Sequence, residues 1–98
     1  MKTYRGDRTI DGVAVTVDGT LLPERTDLLE ISKDGFEWSY EGHAPAQLAF
    51  AMLVDHFGDP AQAGRHYERF MRDVVANFGN EWEYTSADID AALAAVAA

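Results

Sequence analysis

The spacing of hydrophobic and polar positions changes period along the chain. In residues 13–17 (VAVTV), valines at every second position alternate with Ala14 and Thr16, the pattern of a strand with one buried face. Asp18-Gly19 follows, and residues 20–22 resume the apolar run. An Asp-Gly step between such runs predicts a two-residue hairpin, because a type I′ turn needs positive φ at both central residues. Tyr4 and Arg5 fall in an earlier strand that reverses near Asp11-Gly12, and Pro23 closes the hairpin. Residues 24–34 hold Leu28, Leu29 and Ile31 without a clear period, so a short strand and a single helical turn both remain open. Lys33-Asp34-Gly35 marks another turn. Phe36, Trp38 and Tyr40 then alternate with Glu37, Ser39 and Glu41, which predicts a half-buried antiparallel strand with the three aromatics on one face.

From Pro45 the period becomes helical. Proline suits a first helical turn, and in residues 46–57 only Gln47, Asp55 and His56 are polar. A helix apolar on all sides is a buried one, and Gly58 is a natural end for it. Asp59-Pro60 caps and starts a second helix. Its stripe is Ala63, Tyr67, Phe70, Val74 and Phe78, with Gly79 expected to stop it. Trp82 and Tyr84 read as a short extended linker. Thr85 caps a third helix, with Asp88 in the acidic place of a capping box and Ile89, Leu93 and Val96 on the inner face. Strands come first and helices second. The expectation is one α+β domain over residues 1–98, a small antiparallel sheet of about three to four strands in the N-terminal half packed against about three helices in the C-terminal half.

Composition narrows the classes. Seventeen acids stand against eight bases, for a net charge of −9, and only Lys2 and Lys33 are lysines. Such a charge favours solubility and opposes direct nucleic-acid binding. Abundant Asp, scarce lysine and fifteen alanines match the composition of halophilic proteins. The acids are scattered rather than blocked, so an acidic mimic of a nucleic-acid backbone is a minor alternative. The chain has no cysteine, which removes disulfides, thiolate metal sites and a cysteine nucleophile. The first twelve residues carry no apolar run after Lys2, and the longest such run, residues 48–54, is seven residues. Neither a signal peptide nor a membrane span is therefore expected, and the chain reads as cytoplasmic.

Residues 35–53, GFEWSYEGHAPAQLAFAML, resemble the prokaryotic family known as domain of unknown function 6166. Its pattern runs Gly-Phe-x-Trp-Gly-Tyr-Gly-Gly-Ser-Gly-Pro-Ala-Gln-Leu-Ala. Gly35, Phe36, Trp38, Tyr40, Gly42 and the run Pro45, Ala46, Gln47, Leu48, Ala49 match it. Tyr4, Arg5, Gly6, Tyr67, Phe70 and Trp82 extend the likeness over most of the chain. Ser39, Glu41, His43 and Ala44 depart from it, standing where the pattern has Gly, Gly, Ser and Gly. The resemblance implies a fold and no reaction.

Few residues point to chemistry. The turn Glu41, Gly42, His43 opens the first helix, where free N–H groups and the helix dipole favour an anion such as phosphate or a nucleotide. Glu41 opposes that ligand, and a tight structural turn is the plainer reading. Aromatics at strand spacing are core far more often than stacking platforms, and the strand offers acids where such a platform needs bases. Glu37 and Glu41, about 13 Å apart on an extended strand, are too far apart for a glycosidase pair, which needs about 5–9.5 Å. His56 and His66 lack the i, i+4 spacing of a helical metal site. No catalytic residue, metal or cofactor is assigned, and the chain leans away from being an enzyme.

The one patterned surface feature is Arg65, Arg69 and Arg72 on the second helix. At about 100° per residue they fall within about 60° of each other, opposite the apolar stripe. Arginine is suited to forked contacts with carboxylates and phosphates. The plainer reading is a solvated face laced by Glu68–Arg72 and Arg69–Asp73 pairs. The function expected is a non-catalytic protein-interaction or regulatory module with an acidic partner, its oligomeric state open. The alternative is an anionic-ligand domain using residues 41–46.

Overall fold

A computed structural model describes residues 1–97, with side chains through residue 95. Val96, placed by its spacing on the inner face of the third helix, lies outside the described side chains. Strands β1 (Thr3–Thr9), β2 (Gly12–Val17) and β3 (Thr20–Leu21) are followed by helices α1 (His43–Phe57) and α2 (Pro60–Asp73). A 3-10 turn (Val75–Asn77), strand β4 (Glu81–Thr85) and helix α3 (Ser86–Ala97) complete the chain. The sheet is antiparallel with order β3-β2-β1-β4. The fold is α+β, with four strands and three α-helices among the described residues.

The predicted hairpin forms, with φ of 50° at Asp18 and 85° at Gly19. Pairing sets Tyr4 opposite Val17 and Tyr84, and Gly6 opposite Val15 and Trp82. These side chains share the face turned to the helices. Thr3, Arg5, Asp7, Ala14, Thr16, Glu81 and Glu83 occupy the other face. Helix α1 is buried continuously from Pro45 to Val54, as its composition predicts. Fully buried Leu48, Met52 and Leu53 each contribute about 1.5–3 kcal/mol of transfer free energy. Gly58 ends the helix in the left-handed region, φ 66°, and donates to the Val54 carbonyl at 2.8 Å. Asp59 caps α2 by accepting from Ala61 N–H at 3.0 Å. Thr85 and Asp88 form the reciprocal capping box of α3, at 3.0 and 3.1 Å.

Three local expectations are corrected. The segment around Phe36, Trp38 and Tyr40 is not a strand; it pairs with no other strand, and Ser39 has φ 80°. Phe36 and Trp38 are buried, but Tyr40 is 50% exposed, so the three rings do not share a face. The place beside β1 is taken by β4, whose Trp82 and Tyr84 alternate with Glu81 and Glu83. The supposed linker is therefore the fourth strand. A strand edge can be paired only once, and the aromatic segment is held by other bonds. Trp38 Nε1–H donates to Gly79 O at 2.7 Å, and Ser39 N–H donates to Val75 O at 3.2 Å.

Helix α2 also stops earlier than its stripe implies, at Asp73 rather than at Gly79. Val74 leaves helical geometry (φ −122°, ψ −65°), and adjacent β-branched residues at 74 and 75 disfavour continuation. Asn77 Nδ2 donates to Asp73 O at 3.0 Å to satisfy the end. Released from the helix, Phe78 stacks on Trp82 with centroids 4.2 Å apart.

Residues 24–34 form no strand; a single turn spans residues 26–28, where Arg25 O accepts from Leu28 N–H at 3.0 Å and from Leu29 N–H at 3.2 Å. Gln47, fully buried on α1, holds them. Its Oε1 accepts from Ile31 N–H at 2.7 Å and Ser32 N–H at 3.1 Å, and its Nε2 donates to Glu24 O at 2.7 Å and Leu29 O at 3.1 Å. Every hydrogen-bonding position of the amide is thus used. Arg8, at the far end of β1, performs a similar task for the aromatic segment. Its guanidinium donates to Glu37 Oε1 at 2.6 Å, Trp38 O at 3.0 Å and Asn80 Oδ1 at 2.7 Å, and lies 4.8 Å from the centre of the Trp38 ring.

Candidate functional site

Helix α2 owes its orientation to Ala63, Phe70 and Met71, which are buried, and to Tyr67, whose ring meets Phe50 edge-on at 5.8 Å. That burial turns Arg65, Arg69 and Arg72 to solvent together. Of the two ion pairs expected along this face, Arg69–Asp73 forms, loosely, at 3.7 Å. Glu68 and Arg72 do not pair, and among the described residues Arg65 and Arg72 have no carboxylate within 4.0 Å. Arg72 lies in the last turn, where a cation interacts favourably with the helix dipole. The stripe is therefore a patch of cationic groups largely unused by the domain itself. Beside it runs a groove of about 330 Å³ lined by Arg69, Asp73, Val74, Tyr84, Ala92 and Ala95. Burial, with the nearby Asp88 charge, raises the Tyr84 phenol above its usual range.

Glu41, Gly42 and His43 come together where α1 begins. Gly42 is the N-cap, with extended backbone (φ 174°), and its carbonyl accepts from Ala46 N–H at 3.0 Å. A Cβ there would lie 2.8 Å from Tyr40 Cε2, so any side chain at this position would have to displace that half-exposed ring. No side chain caps the helix and its first turn has no acid. Glu41 and His43 are exposed.

The other histidines are occupied structurally. His56 Nε2 lies 2.8 Å from Asp90 Oδ1, linking α1 to α3, and His66 packs against Phe57. Among the described residues no three His, Asp or Glu side chains converge as a metal site would require. No helix of the described residues is long and apolar enough to cross a membrane. Glu37 serves Arg8 rather than pairing with Glu41.

One surface was not anticipated. On the uncovered face of the sheet, Arg5, Asp7, Glu81 and Glu83 border a shallow hollow of about 420 Å³. Arg5 pairs with Glu83 at 3.3 Å. Asp7 and Glu81 sit directly opposite each other in the β1–β4 register, with no cation within 4.0 Å among the described residues. Like charges at such positions destabilise a sheet. Reading residues 81–85 as a linker hid this pairing, although the alternation of Glu81 and Glu83 with Trp82 and Tyr84 was the available signal.

These features define a small α+β domain with two charged surfaces of opposite sign. The chain belongs to DUF6166, a family of unknown function, whose profile matches residues 4–95. No curated protein and no solved structure matches the chain.

Proposed function

We propose that this domain is a non-catalytic interaction module that docks an acidic protein surface through Arg65, Arg69 and Arg72. The observation that carries the reading is the exposure of three arginines on one helix face in a chain of net charge −9. Among the described residues only one of them is paired, and at the long distance of 3.7 Å. Forked guanidinium groups suit carboxylates that approach along a helix. The test is affinity capture of the tagged domain from its native lysate, alongside the triple variant Arg65→Glu, Arg69→Glu, Arg72→Glu. A stoichiometric partner retained by the native domain and lost by the folded variant is the expected result. Equal capture by both removes the stripe from the function.

A second reading rests on the start of α1, where Gly42 supplies no capping side chain and the N–H groups of His43 and Ala44 are available to an anion. In that reading inorganic phosphate or a nucleotide shifts the amide resonances of residues 41–46. Unchanged resonances at millimolar ligand would dismiss it.

A further inference from the structure

We infer that the acidic surface which the arginine stripe fits is on a second copy of this chain, namely the uncovered face of its sheet around Asp7, Glu81 and Glu83. The inference rests on the reading of the stripe given above and names its partner. Both surfaces are exposed, opposite in sign and similarly spaced. Along α2 the steps from Arg65 to Arg69 and from Arg69 to Arg72 are about 6 and about 4.5 Å of axial rise. On the sheet, Glu81 and Glu83 are separated by about 6.6 Å along β4, and Asp7 faces Glu81 across about 5 Å. An arginine from a second copy would reach the one place on this face where two opposed carboxylates have no cation of their own. The surface itself suits a docked helix, because Ala14, Thr16 and Thr3 are small.

The sheet face is turned away from the helices, and the stripe lies on the solvent side of α2. The contact joins two different surfaces, so it is head-to-tail rather than two-fold symmetric, and a pair keeps one free stripe on one copy and one free sheet face on the other. One helix face on one sheet face is a small interface, below about 1,200 Å² in total, which places it among weak and reversible contacts. Two molecules of charge −9 also repel at long range. At about 0.15 M salt the Debye length is about 8 Å, which screens that repulsion while leaving ion pairs in contact.

Sedimentation equilibrium of the purified protein tests this from about 10 µM to about 1 mM, a range set by the size of the interface. The native chain should rise above its monomer mass of 10.8 kDa. The stripe variant (Arg65→Glu, Arg69→Glu, Arg72→Glu) and the face variant (Asp7→Asn, Glu81→Gln) should each remain monomeric. Their equimolar mixture should form a dimer that grows no further, because one supplies only the sheet face and the other only the stripe. Circular dichroism confirms that both variants are folded, and the face variant relieves a repulsion rather than adding one. A native chain that is monomeric at about 1 mM, or a mixture that stays monomeric, overturns the inference. Capture of a different acidic protein by the stripe would then leave the interaction reading standing, whereas loss of both results would remove the stripe altogether.

Discussion

Gly6 and Trp82 are direct neighbours across β1 and β4, and the indole lies where a side chain on Gly6 would be. A Cβ built on Gly6 falls within the ring, against Nε1 and Cε2. Trp82 has little room to retreat, being stacked on Phe78 and edge-on to Trp38 at 5.7 Å. Gly6→Ala should therefore cost about 1–3 kcal/mol by overpacking, read as a lowered urea midpoint. Ala14→Ser, on the open face of the neighbouring strand, should change stability by less than about 0.5 kcal/mol. Equal effects at the two positions would contradict the close approach.

The two tryptophans differ in their N–H groups. Trp38 Nε1–H donates to Gly79 O at 2.7 Å, whereas Trp82 Nε1–H is buried with no acceptor among the described residues. Replacing Trp38 by Phe strands a carbonyl, while replacing Trp82 by Phe removes an unsatisfied donor. Trp38→Phe should be the more damaging by about 1–2 kcal/mol, measured by chemical denaturation. The reverse order would mean that Trp82 N–H has a partner in solution.

Gln47 ties residues 24–32 to the first helix through four backbone hydrogen bonds. Gln47→Leu keeps the volume and strands two N–H groups and two carbonyls. A loss of about 3 kcal/mol or more is expected. Hydrogen exchange is the sharper check, since the amides of Ile31 and Ser32 should lose protection before those of α1. Uniform loss across the domain would show that the loop is held by something else.

Tyr4 predicts the alkaline limit of stability. Its ring is fully buried and its hydroxyl donates to Asp55 Oδ2 at 2.7 Å. Burial first, then that bond and the Asp55 charge, raise the phenol far above its usual range. The folded state thus holds this proton more tightly than the unfolded state, whose tyrosines titrate near pH 10. The contribution is complete below about pH 10 and is lost as pH rises above it. Burial also raises Tyr67 and Tyr84, which add to the same slope. Unfolding free energy should be flat from about pH 8 to about pH 9.5 and fall beyond about pH 10. Tyr4→Phe should reduce that fall, and an unchanged slope in this variant would exclude Tyr4 as its main source.

Much of this domain was legible in local sequence because its signals are local. Asp18-Gly19 specifies its turn by backbone sterics, Asp59-Pro60 and Thr85 with Asp88 start helices through bonds two or three residues long, and the apolar run of α1 declares its own burial. The arginine stripe follows in the same way from helical period. Competition between distant segments decided the rest. Two segments had strand-like alternation, and only the folded chain assigns the place beside β1 to residues 81–85 rather than 36–40. Just beyond the end of α2, the carbonyl of Val75 accepts from the N–H of Ser39, a bond that no local pattern announces. Gln47 was visible as a lone polar residue in an apolar run, but its partners lie 15 to 23 residues away. The pairing of Asp7 with Glu81 joins residues about three-quarters of the chain apart. Local chemistry chose the elements, and long-range pairing, which admits one partner per edge and one acceptor per donor, chose the surfaces they expose.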